Sequence, residues 1–188
     1  MAMYIGITGT HSTGKSTFVQ RLRQLAEQRG IRTVSISDKA TDCRNRGFSI
    51  LKDHTFESTL WIMVTVIQQE LEQGLNADLV IVDRPVSDAI GYLEAALAST
   101  NRSVSREEHE YLYALAKNHS SRYALLFKTK LDESIPLGPE RDPDLDFRRV
   151  VDQQIGRVLE QLGLQSLDPL SEQATELITE LLDVVAMM

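Results

Sequence analysis

The chain has 188 residues, 42% hydrophobic and 25% charged, which is the make-up of one globular domain rather than of a disordered or fibrous chain. Its 20 Lys and Arg stand against 27 Asp and Glu, a net charge of −7, and a general nucleic-acid binder needs the opposite balance. The one cysteine, Cys43, can form neither an intramolecular disulfide nor a cysteine-based zinc site, and points to a reducing compartment.

Tyr4-Ile5-Gly6-Ile7-Thr8 is a short apolar run that reads as a buried strand starting almost at the first residue, with no basic leader ahead of it. From Lys15 the period becomes helical: Phe18, Val19, Leu22, Leu25 and Ala26 share a face, and Gly30 is placed to end it. Thr33-Val34-Ser35-Ile36-Ser37 is a second strand, followed by a polar loop rich in Arg and Asp. Leu60, Val64, Ile67 and Leu71 then recur at helical spacing up to Gly74. Residues 60–67 are the longest apolar run, far short of the roughly 20 needed to cross a bilayer. The expectation is a cytosolic protein without membrane contact.

Leu79-Val80-Ile81-Val82 is the most strand-like run, and Asp83 closes it. Helices are expected over residues 86–98 and 105–118, the second opening on the capping-box spacing Ser105-Arg106-Glu107-Glu108. Tyr123-Ala124-Leu125-Leu126-Phe127 is a further strand. Residues 131–145 carry Pro136, Gly138, Pro139 and Pro143, which deny them regular structure and mark a lid or binding loop over about 131–149. Phe147, Val150, Val151, Ile155, Val158, Leu159 and Leu162 outline an amphipathic helix ending at Gly163. A short strand at 164–167 and a last helix from Ser171 complete one α/β domain spanning the chain. Strands separated by helices imply a parallel sheet covered on both faces, with ligands beyond the carboxyl ends of the strands.

The strongest signal lies at the first such end. Gly9-Thr10-His11-Ser12-Thr13-Gly14-Lys15-Ser16-Thr17 matches G-x-x-x-x-G-K-[ST], with a strand before it and a helix after it. Glycines at both ends let successive backbone N–H groups turn inward around phosphates, and the helix adds the positive end of its dipole. Lys15 would reach the β- and γ-phosphates, and Ser16 would hold Mg²⁺. His11 occupies a variable position of the loop and reads as an exposed histidine. Asp83 ends its strand where a carboxylate meets the metal's water shell. A signalling GTPase would continue Asp-x-x-Gly, whereas this chain reads Asp83-Arg84-Pro85-Val86. A motor-type ATPase would follow the acid with a second one. Arg84 instead suits a fork on phosphate or a substrate hydroxyl.

Asp38, directly after the second strand, either orients an acceptor or caps a turn. Arg44 and Arg46 follow, as phosphate ligands or a solvated pair. Arg141, Arg148 and Arg149 surround the end of the lid, where an inserted arginine would stabilise the charge of a moving phosphoryl group. Thr129-Lys130-Leu131-Asp132 resembles a guanine-reading signature, but the Asp-x-x-Gly element that accompanies it is missing.

Taken together, the loop from Gly9 to Ser16, Asp38, Asp83-Arg84 and the arginine-bearing lid resemble the nucleoside and nucleotide kinase branch of phosphate-loop proteins. They are similar in particular to the nicotinamide-riboside-kinase-like ATPase domains, over most of the chain from Tyr4 to about Leu167. The resemblance implies a three-layer α/β/α sandwich on a five-stranded parallel sheet of order 2-3-1-4-5, with ATP and Mg²⁺ on the first loop. It places a nucleoside or nucleotide acceptor between the Asp38 loop, the helix around Trp61 and Gln68, and the Asp83-Arg84 corner. It also sets Asp168-Pro169 against adenine. Where that family's kinases usually carry Glu after the second strand and Glu-Arg-Ser at the metal site, this chain has Asp38 and Asp83-Arg84-Pro85. A regulatory ATPase that switches without a small-molecule acceptor is the alternative. The apolar end, Val184-Val185-Ala186-Met187-Met188, packs on its own core or on a second copy in a homodimer.

Overall fold

The structure, a computed structural model, describes residues 2–134 and 144–188. Four strands, β1 (Met3–Thr8), β2 (Thr33–Ile36), β3 (Leu79–Asp83) and β4 (Tyr123–Lys128), form one sheet of order β2-β3-β1-β4, and every pairing is parallel. Alternate side chains feed two cores, as a sheet covered on both faces requires. Ile5, Ile7, Leu79 and Ile81 pack against Phe18 and Leu22 of α1 (Lys15–Glu27) and Ile178 and Leu182 of α7 (Glu172–Ala186). Tyr4, Val80 and Val82 pack on the other side, against Ile62, Met63 and Val66 of α3 (Phe56–Gln73) and Ile90 and Leu93 of α4 (Val86–Thr100). Leu112 and Ala116 of α5 (Arg106–Ser120) join this second core. The three-layer sandwich is as expected.

The fifth strand shrinks to a single parallel bridge between Leu167 and Phe127. Leu167 N donates to Leu126 O at 2.9 Å and Lys128 N to Leu167 O at 2.9 Å, so the chain does lie beside β4 at the expected place in the order. It cannot extend further. Gly163 turns at φ 70, Leu164 N bonds back to Leu159 O, and Ser171 N bonds to Asp168 O, leaving little extended chain between two turns.

Two other expectations change. The polar segment after β2 contains a short helix, α2 (Ala40–Asn45), and a 3₁₀ turn at Leu51–Asp53. Asp38 starts α2 by accepting from Ala40 N at 2.9 Å, and Cys43 anchors it in the core. In α3 the buried face is Thr59, Ile62, Met63, Val66 and Glu70, while Val64 and Leu71 are exposed. The helix is rotated from the face its aliphatic spacing marked: Ile62, Met63 and Val66 enter the core and Glu70 is buried among polar partners, while Leu60 and Ile67 pack at the edge. The boxed start of α5 is as read, with Ser105 and Glu108 capping reciprocally.

The helix that follows the lid segment, α6 (Leu145–Leu162), runs against α4. Their contact is backbone-close at Gly91, where an added Cβ would sit 2.5 Å from Ile155 Cγ1 and 3.1 Å from its Cα. Phe147, Val151 and Ile155 seal the joint with Leu126 and Tyr92. The first turn of α6 is thereby fixed over the carboxyl ends of the strands. At the chain end Val185 enters the core beside α1, whereas Val184, Met187 and Met188 are exposed. Among the described residues no helix is long and apolar enough to cross a membrane.

Candidate active site

The loop after β1 is shaped by its own sequence. Gly9 adopts φ 137 and Gly14 φ 83, both in the region that side chains resist, and Ser12 follows at φ 55. Gly9 is required twice over, since a Cβ there would fall 2.3 Å from Thr129 Oγ1. Thr129 ties the loop down: its Oγ1 is 2.6 Å from Thr13 Oγ1, and its N donates to Thr8 O at 3.0 Å. Thr13 Oγ1 donates to Thr10 O at 3.0 Å, and Lys15 Nζ donates to the same carbonyl. Burial, with Arg84 nearby, pushes the Lys15 ammonium down to about 7. Lys15 is therefore folded onto its own loop at a cost that an incoming anion would relieve. Ser16 and Thr17 at the start of α1 are exposed to the loop's cavity.

A second set of residues arrives from the ends of β2 and β3. Arg84 turns back at φ 72 and is 9% exposed. Its Nε lies 2.8 Å from Asp38 Oδ2, its Nη1 donates to Gly9 O at 3.1 Å and lies 3.6 Å from Asp88 Oδ2. Its guanidinium also sits 5.0 Å from the Tyr92 ring centre. Arg84 thus braces the phosphate loop against two carboxylates, a different task from the free fork the sequence suggested. Asp38 caps the turn into α2, one of its two readings, and also pairs with Arg84.

Asp88 was not singled out by the sequence reading. From the first turn of α4 it accepts from Thr8 Oγ1 and from Gly9 N, the latter at 3.3 Å. Burial pushes its carboxyl up to about 6, although Arg84 and the Thr8 hydroxyl favour the charged form. The signal that could have found it is its place four residues after Arg84, a helical ion-pair spacing.

Of the arginines flanking the lid, Arg148 comes to the loop. It is 2% exposed, and its Nη2 donates to His11 O at 3.2 Å, with Ser12 O at 3.5 Å. Its Nε is buried and makes no hydrogen bond among the described residues. Arg149, next in sequence, points outward to Glu133 and Asp146. Arg141 and the lid's centre lie outside the described residues. His11 is 4% exposed, not the exposed histidine expected, because α6 closes over it.

Two cavities open here. One, of about 190 Å³, is the phosphate loop itself, lined by residues 11–17. The other, of about 420 Å³, reaches from the loop toward α2, the 3₁₀ turn and Tyr92, a size that suits a small ligand. His11, Ser16, Asp38, Asp83 and Arg84 line both, so the cavities meet at that wall. Ser16 and Asp83 bring a hydroxyl and a carboxylate to the junction, the hard oxygen donors that suit Mg²⁺ shared with phosphate. No cluster of three or more His, Cys, Asp or Glu able to hold a metal occurs among the described residues.

Other expected residues stand apart. Trp61 packs on Phe48 with Arg46 5.4 Å above its ring, and Gln68 bonds Glu72 on the surface; neither lines a cavity of the site. Asp168 lies in the turn before α7, where Lys130 pairs with it at 2.5 Å and Leu170 N donates to it. Asp132 caps Ser134. Of the guanine-like signature, Thr129 is thus engaged by the phosphate loop, Lys130 by Asp168 and Asp132 by Ser134.

An AAA-domain family model matches residues 4–172. The chain belongs to that family. No curated protein matches it in sequence. Among solved structures it is similar to NadR protein in complex with NR, at TM-score 0.68 and 15% identity, over 95% of this chain and 51% of that one. It is similar to thymidylate kinase from Candida albicans at TM-score 0.61 and 16% identity, covering 99% and 92%. Deoxyadenosine kinase from M. mycoides, with products dCMP and dCDP, matches at TM-score 0.57 and 14% identity over 99% and 100%. These likenesses establish a phosphate-loop fold of the nucleoside and nucleotide kinase kind.

Proposed function

We propose that the protein is an ATP-dependent kinase that moves the γ-phosphoryl group to a nucleoside or nucleoside monophosphate. The observation that carries this reading is the junction: a phosphate-loop cavity and a ligand-sized cavity share a wall of His11, Ser16, Asp38, Asp83 and Arg84. A donor in one and an acceptor in the other would meet there, and in phosphoryl transfer positioning and charge supply nearly all of the catalysis.

The loop amides of residues 9–15 and the Lys15 ammonium would take the β- and γ-phosphates. Phosphate in place of Thr10 O would restore the ammonium that burial disfavours. Ser16 and Asp83 would hold Mg²⁺, which when bound neutralises charge between the β- and γ-phosphates. Arg148 already reaches the loop carbonyls of His11 and Ser12, with a buried N–H unsatisfied among the described residues; pairing with the transferring group would satisfy it. Arg84 would fix the loop against Asp38 and Asp88, and Asp38 would set one boundary of the acceptor. The acceptor kinases among the structural neighbours support the assignment of class.

Incubating the protein with ATP and Mg²⁺ and a panel of nucleosides and their monophosphates should give ADP formation that one acceptor accelerates at least tenfold. Hydrolysis of ATP at a rate that no acceptor changes would instead favour a switch ATPase.

A further inference from the structure

Resting on the kinase reading, we infer that the acceptor enters already phosphorylated: the ligand-sized cavity is built for a nucleoside monophosphate, whose phosphate is held by Lys39 and Arg44. The charges around the cavity lead there. Of its carboxylates, Asp38 and Asp88 share Arg84, and Asp83 stands by Lys15 and the metal position. His54 is buried with its Nδ1 3.1 Å from Leu51 O, and burial keeps the ring neutral. Buried Lys39, at the α2 end, has no comparable compensation among the described residues, and exposed Arg44 stands at the same cavity.

The side chain of Lys39 is 7% exposed, and among the described residues its ammonium has only Asp42 at 3.9 Å, beyond hydrogen-bond reach, with that carboxylate 59% exposed. Arg44, five residues further along the chain in α2, makes no ion pair among the described residues. Both line the cavity, as does Thr41. An ammonium taken out of water without a good partner is costly. A phosphate monoester offers two negative charges and several acceptor oxygens, which fits three donors on Lys39 and the fork of Arg44.

The chemistry agrees with this charge count. A hydroxyl acceptor must lose a proton, and Asp38, the carboxylate nearest α2, is engaged by Arg84 Nε and by Ala40 N. A phosphate acceptor has no proton to lose. One of its oxygens forms the bond to the γ-phosphorus while the bond from that phosphorus to the β–γ bridging oxygen breaks. The products are a nucleoside diphosphate and ADP, and Asp38 acts as a positioning residue.

The test compares adenosine, guanosine, cytidine, uridine and thymidine with their 5′-monophosphates as acceptors of ATP, by ADP release and by product analysis. The best monophosphate should exceed its own nucleoside in kcat/KM by about 100-fold, the scale of two charge-assisted contacts. Lys39→Gln and Arg44→Gln should each raise KM for the monophosphate about tenfold with kcat within threefold, and Lys39→Arg should restore most of the loss. Retained ATP affinity reports that each variant is folded, and Arg44, being exposed, serves if Lys39→Gln is not. Preference for a nucleoside, or a monophosphate KM indifferent to both substitutions, overturns the inference and leaves the kinase reading standing. If no acceptor is turned over, the kinase reading fails. Calorimetric titration with the five monophosphates then decides the anion site: Lys39-dependent binding upholds it, and its absence removes it.

Discussion

Two buried charge clusters sit at opposite ends of the same sheet. At the amino ends, Glu70 of α3 is fully buried and receives Tyr123 OH at 2.6 Å and His119 Nε2 at 2.8 Å, with Arg122 at 3.6 Å. Tyr4 OH donates to the Glu70 carbonyl, and Arg122 stacks 4.0 Å from the Tyr4 ring centre. At the carboxyl ends, Arg84 gathers Asp38, Asp88 and Gly9 O. The first cluster closes on itself and lines neither cavity of the site. The second borders both cavities and leaves Lys15 folded on a carbonyl and Arg148 with an unsatisfied N–H. A cluster whose demands are met locally holds the fold; one whose demands are left open beside a cavity is set for a ligand.

Substitutions can break that distinction. Arg148→Gln should lower turnover by about 10³-fold, as for an arginine that stabilises transferring phosphate. Its neighbour Arg149→Gln should change turnover by less than about twofold, because its pairs with Glu133 and Asp146 are exposed. Equal effects would erase the difference between the two arginines. Arg84→Met should cost about 3–5 kcal/mol in urea unfolding, since it strands Asp38 and Asp88 beside each other, and ATP affinity should fall with it. Glu70→Gln should cost about 2 kcal/mol through weakened bonds to Tyr123 and His119, with ATP affinity unchanged. A loss of nucleotide binding in Glu70→Gln would mean the amino-end cluster is coupled to the site after all.

The difference between the clusters also marks what a sequence can convey. The phosphate loop is legible because nine contiguous residues dictate their own backbone: Gly9 and Gly14 must stand where φ is positive, between a strand and a helix. A parallel sheet covered on both faces follows from alternating strands and helices, while its order came with the family resemblance; the α6 face from Phe147 to Leu162 needed only its period. Glu70 was illegible because a glutamate among helix formers reads as solvated; only the packing of Tyr4, His119 and Tyr123 around it shows otherwise. It shares the buried face of α3 with Ile62, Met63 and Val66, not with Val64 and Leu71, which the spacing marked. Asp88 stayed hidden for a related reason, since its partners Thr8 and Gly9 are 80 and 79 residues away. His11 was misjudged because its cover comes from α6, which the loop's own sequence cannot reveal. The fifth strand failed on length, squeezed between Gly163 and the Asp168 turn.

The central claim, that the first loop grips the phosphates of a nucleotide through Lys15, is met most directly by titrating ATP with Mg²⁺ calorimetrically at pH 8 in buffers of different ionisation enthalpy. In the free protein Lys15 is held down to about 7, so most of it is neutral at pH 8; phosphate should raise it again. Binding should therefore take up protons in the wild type, while Lys15→Ala should bind at least about 100-fold more weakly and take up none. ATP binding of equal strength in Lys15→Ala, with the same proton uptake, would contradict the account.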